Sequence, residues 1–134
     1  MDAIQNDSGF STKKIPGVDV QAGLALYCGE TDIYWDVLLS FVQDTPEVIE
    51  SMRRVTKKSL PEYAINVHGF KGTCTNICAE PMRKRALNLE MKAKAGDLDN
   101  VLALNEAFLI DAATLVADIK SGLQELSANM EYPF

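Results

Sequence analysis

The sequence predicts an all-α fold, an antiparallel four-helix bundle with a short N-terminal helix. Apolar stripes at helical period run along the chain, no alternating strand or hairpin pattern competes with them, and the segments between the stripes are short. The first helix is expected from Val18 to Tyr27, with Asp19 as its cap, Val20, Leu24 and Tyr27 on one side, and Cys28-Gly29 as its stop. Thr31 is expected to cap the second. Its stripe of Tyr34, Leu38, Phe41, Thr45, Val48, Met52 and Val55 stays in phase across Pro46, which favours one kinked helix over two. Arg53, Arg54, Lys57 and Lys58 then suit the C-terminal end of that helix dipole.

Pro61 falls near the first turn of a third helix running to about Ile77, with Val67, Phe70, Cys74 and Ile77 as its stripe. Pro81 opens a fourth helix through about Ala95, ended by Gly96. Asp97 caps the last, whose stripe is Val101, Leu104, Phe108, Ala112, Leu115, Ile119, Leu123 and Leu126. Residues 1–15 are expected as a flexible tail, 16–128 as the bundle and 129–134 as a C-terminal tail.

A chain of 134 residues suits one domain with a substantial core. Nineteen acids against thirteen bases leave a net charge of -6, which argues against nonspecific nucleic-acid binding. The apolar runs are too short to span a bilayer and the N-terminus lacks the charge and apolar core of a signal peptide, so no membrane association and a cytoplasmic location are expected. Cys28, Cys74 and Cys78 are an odd number without a disulfide framework, which fits a reducing compartment. A monomer is expected.

His68 is the only histidine in the chain, and Lys71 and Gly72 follow it at i+3 and i+4, on the same helical face. At 100° per residue the imidazole lies roughly 140° from the centre of its helix's stripe, so it should face solvent. Ala64, Ile65, Gly72 and Thr75 fall on its side and form a low, partly apolar apron on which a partner could dock. Two helical glycines, Gly69 and Gly72, each cost roughly 1 kcal/mol relative to alanine, and clearing the approach to the ring is a reason for keeping them. A histidine side chain has a reference pKa near neutrality, which leaves a nitrogen lone pair for attack on phosphorus without a separate base. A nucleophile beside a cation suits a phosphoryl group.

The run His68-Gly69-Phe70-Lys71-Gly72-Thr73-Cys74-Thr75-Asn76-Ile77-Cys78-Ala79 resembles the signature of histidine-containing phosphotransfer domains, and flanking segments from about Pro16 to Leu126 resemble that family in the same order. The resemblance implies a four-helix bundle whose histidine takes a phosphoryl group from one receiver aspartate and passes it to another in a two-component phosphorelay. It implies His68 as phosphoacceptor, Lys71 as the cation near the phosphoryl oxygens and Gly72 as clearance for the partner. Glu90 stands where the family often has a polar residue near the imidazole, and Lys94 where some members carry a second cation. Attack is expected through Nε2, with Glu90 as the candidate to hold Nδ1–H. Partners would be receiver domains of response regulators or hybrid kinases, and Mg2+ would come from the receiver, the chain having no cofactor of its own. One departure is Cys78, where the family usually has glycine, since a left-handed backbone there strains a residue with a Cβ.

Each feature also has a plainer reading. Glu90 and Lys94 at i, i+4 can be a surface ion pair. Arg83-Lys84-Arg85 can be a solvated face or can steer an acidic partner. Cys74 and Cys78 read as packing residues rather than metal ligands, for want of a second ligand pair. No nucleotide-binding motif occurs, so the chain is not expected to phosphorylate itself from ATP. Two other functions fit the same fold: a noncatalytic helical adaptor that binds receivers, and the excised phosphoacceptor domain of a larger histidine kinase. Met1 and the polar tail favour a free-standing protein.

Overall fold

A computed structural model of the protein describes residues 9–130, with the side chains of 129 and 130 left aside; the outer parts of both expected tails lie outside the described residues. A 3-10 turn, Phe10–Thr12, precedes five helices: α1 Val20–Leu26, α2 Thr31–Ser51, α3 Leu60–Ile77, α4 Glu80–Lys94 and α5 Leu98–Met130. No strand occurs among the described residues, and the fold is the all-α bundle with a short first helix that the stripes predicted. α3 packs on α2 and α4, and α5 on α4 and α2, so the four long helices close a ring around one core. Cys78 and Ala79 alone join α3 to α4, a connection short enough to demand antiparallel neighbours.

The helix starts follow local capping chemistry. The Asp19 carboxylate accepts the Ala22 N–H at 3.0 Å, and Asp97 accepts that of Asn100 at 3.3 Å, as expected for N-caps. At α2 the cap is Glu30, and Thr31 is the buried first residue instead. α2 runs unbroken through Pro46 but stops at Ser51, short of the expected Val55. Asn105 of α5 explains the stop. Its Nδ2 donates to the Met52 carbonyl at 2.8 Å, taking one of the acceptors that a helix leaves unbonded at its end. Met52 and Val55 stay buried from outside the helix, while Arg53, Arg54, Lys57 and Lys58 lie in the following loop and not in the last turn.

Two stripes shift in register. In α2, Ile49 is buried and Val48 only half-buried, so the buried face steps from Thr45 to Ile49 to Met52. In α5, Leu104 is exposed and Asn105 takes the core position, because its amide meets two buried partners, Met52 O and the Tyr63 hydroxyl. The N-terminal boundary also moves. Phe10 and Ile15 are buried, Phe10 stacked on Tyr34 and edge-on to Trp35, so the packed structure begins upstream of residue 16. α5 continues to Met130, beyond the expected end near Leu126 and into the expected C-terminal tail.

Three helices end in the same way. α1, α3 and α4 each close with a left-handed residue, Cys28, Cys78 and Gly96, and a paired set of terminal bonds: Gly29 N–H to Leu24 O, Ala79 N–H to Cys74 O, Asp97 N–H to Lys92 O. Cys78 therefore adopts at φ 62° the conformation that its Cβ disfavours. The surrounding bonds hold it there. Of the last four carbonyls of α3, Cys74 and Thr75 accept from Ala79 and Cys78 N–H, Asn76 accepts the Tyr27 hydroxyl at 2.8 Å, and Ile77 accepts the Tyr34 hydroxyl at 2.8 Å. The Cys78 carbonyl accepts the Asp19 N–H at 3.0 Å. The residues around α1 thus plug the end of the helix that carries His68.

Candidate functional site

His68 projects from the middle of α3 with its side chain 62% exposed, on the outward face its helical phase predicted. One turn on, Lys71 is partly covered. Across the α3–α4 seam, which this pair of helices packs most extensively, Glu90 is buried at 4% side-chain exposure beneath both of them. Its position follows from register: Met82, Ala86, Leu89 and Ala93 face the core, and Glu90 sits on the edge of that face, directed at α3.

The carboxylate gathers three donors. His68 Nδ1 lies 2.7 Å from Glu90 Oε2, Lys71 Nζ donates to Oε1 at 2.6 Å, and Lys94 Nζ lies 2.9 Å from Oε2. Burial favours the neutral acid, but the bonds to Lys71, Lys94 and His68 prevail and hold the carboxyl down at about 2. Glu90 is therefore an anion at neutral pH. An ionised carboxylate only accepts, which places the hydrogen of a neutral imidazole on Nδ1 and leaves the lone pair on Nε2, directed away from the Glu90 contact. Lys94 keeps its side chain 65% exposed, so it is both the ion pair of Glu90 and a cation reachable from outside.

The ground around the ring is low. A Cβ built on Gly69 or on Gly72 would meet nothing within 4 Å, so packing inside the protein does not demand either glycine. A shallow concavity of about 450 Å³ beside the ring is lined by Pro61, Ala64, Ile65, Glu90, Ala93 and Lys94. Of the expected apron, Ile65 is 72% exposed, and Thr75 is exposed with its hydroxyl donating to the Lys71 carbonyl at 3.2 Å. Ala64 is a correction: at 7% exposure it belongs to the core and forms the floor of the concavity rather than its surface.

A scan of protein-family models finds no match to this chain, and searches of curated proteins and of solved structures find none either. The site therefore stands on its own geometry. Its second side was not legible in the sequence. A groove of about 530 Å³ between α2 and α3 runs past Ile65 and Gly69, with Ile33, Val37 and Val48 along it and Asp36 and Asp44 on its α2 side. The available signal was Ile33 and Ile65, two large apolar residues outside their helices' stripes, both exposed.

Other candidates resolve into structure. Arg83 bonds Glu80 one turn back, and Arg85 bonds Asp111 at 2.6 Å and lies over the Phe108 ring, so two of the three cations in that run are engaged within the protein. Cys74 is a core side chain whose thiol burial pushes up to about 12. Among the described residues no group of three His, Cys, Asp or Glu is placed to hold a metal ion, and no helix is long and apolar enough to cross a membrane.

Proposed function

We propose that this chain is a histidine phosphotransfer protein of a two-component phosphorelay, carrying a phosphoryl group on His68 between receiver aspartates. The observation that carries the reading is the single exposed imidazole with Nδ1 bound to a buried anion and two lysines on that same anion. Phosphoryl transfer asks a protein for positioning and charge neutralisation more than for covalent chemistry. Glu90 fixes the ring and its tautomer. Lys71, one turn on from His68, and the exposed Lys94 are the cations this reading assigns to the phosphoryl oxygens, and Gly69 and Gly72 leave room for the partner carrying that group. Mg2+ held by a receiver would supply further neutralisation from the partner's side.

The receiver itself is the partner this reading requires, docked over His68 and Ile65. Incubation with a phosphorylated receiver should move label to an acid-labile, alkali-stable position on this chain, and His68→Gln should accept none. Label that persists in the variant would end the proposal, since the sequence holds no second histidine. Binding to receivers without any transfer in either direction would favour the helical adaptor instead.

A further inference from the structure

The bond between Glu90 and the ring has a consequence for the loaded state. Glu90 spends Oε1 on Lys71 and Oε2 on Lys94 and His68, and as an acceptor it can satisfy Nδ1 only when that nitrogen carries hydrogen. That requirement is unchanged when the opposite nitrogen is phosphorylated. We infer that Glu90 keeps Nδ1 protonated in phosphorylated His68, so that the phosphoryl group rides on an imidazolium and departs from it readily. Glu90 is then a positioning residue that sets the quality of the leaving group. The inference rests on the phosphocarrier reading.

The steps balance without a proton from solvent. On loading, the Nε2 lone pair forms the bond to phosphorus while the bond from phosphorus to the receiver's aspartyl oxygen breaks, its electrons staying on that carboxylate. A neutral ring bearing hydrogen on Nδ1 becomes an imidazolium. On unloading, an incoming carboxylate oxygen bonds phosphorus, the Nε2–P electrons return to Nε2, and the ring leaves as neutral imidazole. Were Nδ1 deprotonated in the loaded state, the departing group would be imidazolate, a far poorer leaving group unless a proton arrived first.

The charged groups bonded around this centre are Lys71 from α3 and Glu90 and Lys94 from α4, while Asp36 and Asp44 of α2 line the neighbouring groove. Both lysines disfavour a ring cation through space. The direct 2.7 Å bond to Glu90 opposes them. Glutamine at 90 is the informative comparison, because its amide is similar in shape yet can turn and donate to an unprotonated Nδ1.

The test uses the full chain with 15N-labelled histidine, phosphorylated by phosphoramidate, and follows the ring nitrogens by NMR from about pH 6 to 9 together with the rate of phosphoryl loss. Nδ1 of the loaded wild type should deprotonate at least about one pH unit above the value in Glu90→Gln, a tenfold change in the protonation ratio. Phosphoryl loss from the wild type should stay fast to correspondingly higher pH. If the glutamine variant does not fold, the loaded wild type unfolded in urea supplies the reference midpoint. Equal midpoints, or a loaded wild-type ring already deprotonated at neutral pH, would overturn this inference alone. If phosphoramidate leaves His68 unlabelled, the phosphocarrier reading falls and this inference falls with it.

Discussion

At the scale of single residues, the glycines separate packing from purpose. Gly23 lies against Tyr34, where an added Cβ would stand 2.1 Å from a ring carbon that is fully buried, so Gly23→Ala should destabilise the fold by about 1–3 kcal/mol. Gly72 has open space at the same test, and Gly72→Ala should instead stabilise the isolated protein by about 1 kcal/mol through helix propensity. Thermal unfolding of the two variants checks the opposite signs, and slower uptake of phosphoryl from a receiver by the stabilised Gly72→Ala protein is the cost the proposal expects. Glu90 makes a pH prediction. Its folded value near 2 lies below the ordinary 4.5, so its contribution is complete above pH 4.5 and is lost as the pH falls toward 2. Denaturation of wild type and Glu90→Gln across that window should show the wild type losing stability more steeply, since the glutamine variant has no proton to take up there. Parallel slopes would contradict the burial and pairing described for this carboxylate.

At the scale of elements, helix ends decide more than helix middles. The α3 stripe was plain in the sequence, but the bonds that hold its C-terminus come from Tyr27, Tyr34 and Asp19, far away in the chain. They fix the helix that presents His68. Asn105 plays the same part for α2, joining the Met52 carbonyl to the Tyr63 hydroxyl across three helices. Asn105→Leu keeps the branched heavy-atom shape of the side chain and the stripe's apolar character yet strands a buried hydroxyl and a buried carbonyl, so it should cost about 1–3 kcal/mol in chemical denaturation. A neutral or stabilising result would mean that both groups find other partners. Leucine looked like the natural core residue one position earlier, and only the two polar partners explain why the buried position belongs to Asn105.

At the scale of the molecule, the N-terminal segment is a strap on the bundle. Lys13 bonds Glu125 at 2.8 Å, Ile15 packs where Gly122 leaves room, and Phe10 closes over Tyr34 and Trp35. Tyr34 in turn holds the end of α3, so the strap supports the His68 helix at second hand. Phe10→Ala should cost about 3–5 kcal/mol in urea denaturation, the usual loss for a fully buried phenylalanine; a loss within about 0.5 kcal/mol would show that this segment does not belong to the cooperative fold.

What the sequence determined by itself is the set of long helices, the outward phase of His68, and the placing of Lys71 and Gly72 beside it. These are local properties: period, caps and offsets within one helix, each set by backbone geometry that neighbouring residues share. The tertiary structure decided that Glu90 is buried and holds His68, Lys71 and Lys94 together, that Ala64 is floor rather than surface, that Asn105 displaces Leu104 from the core, and that α2 ends at Ser51. Each of those depends on which helix lies opposite, and a side chain's burial and its partners are fixed by surfaces that meet only once the bundle has closed.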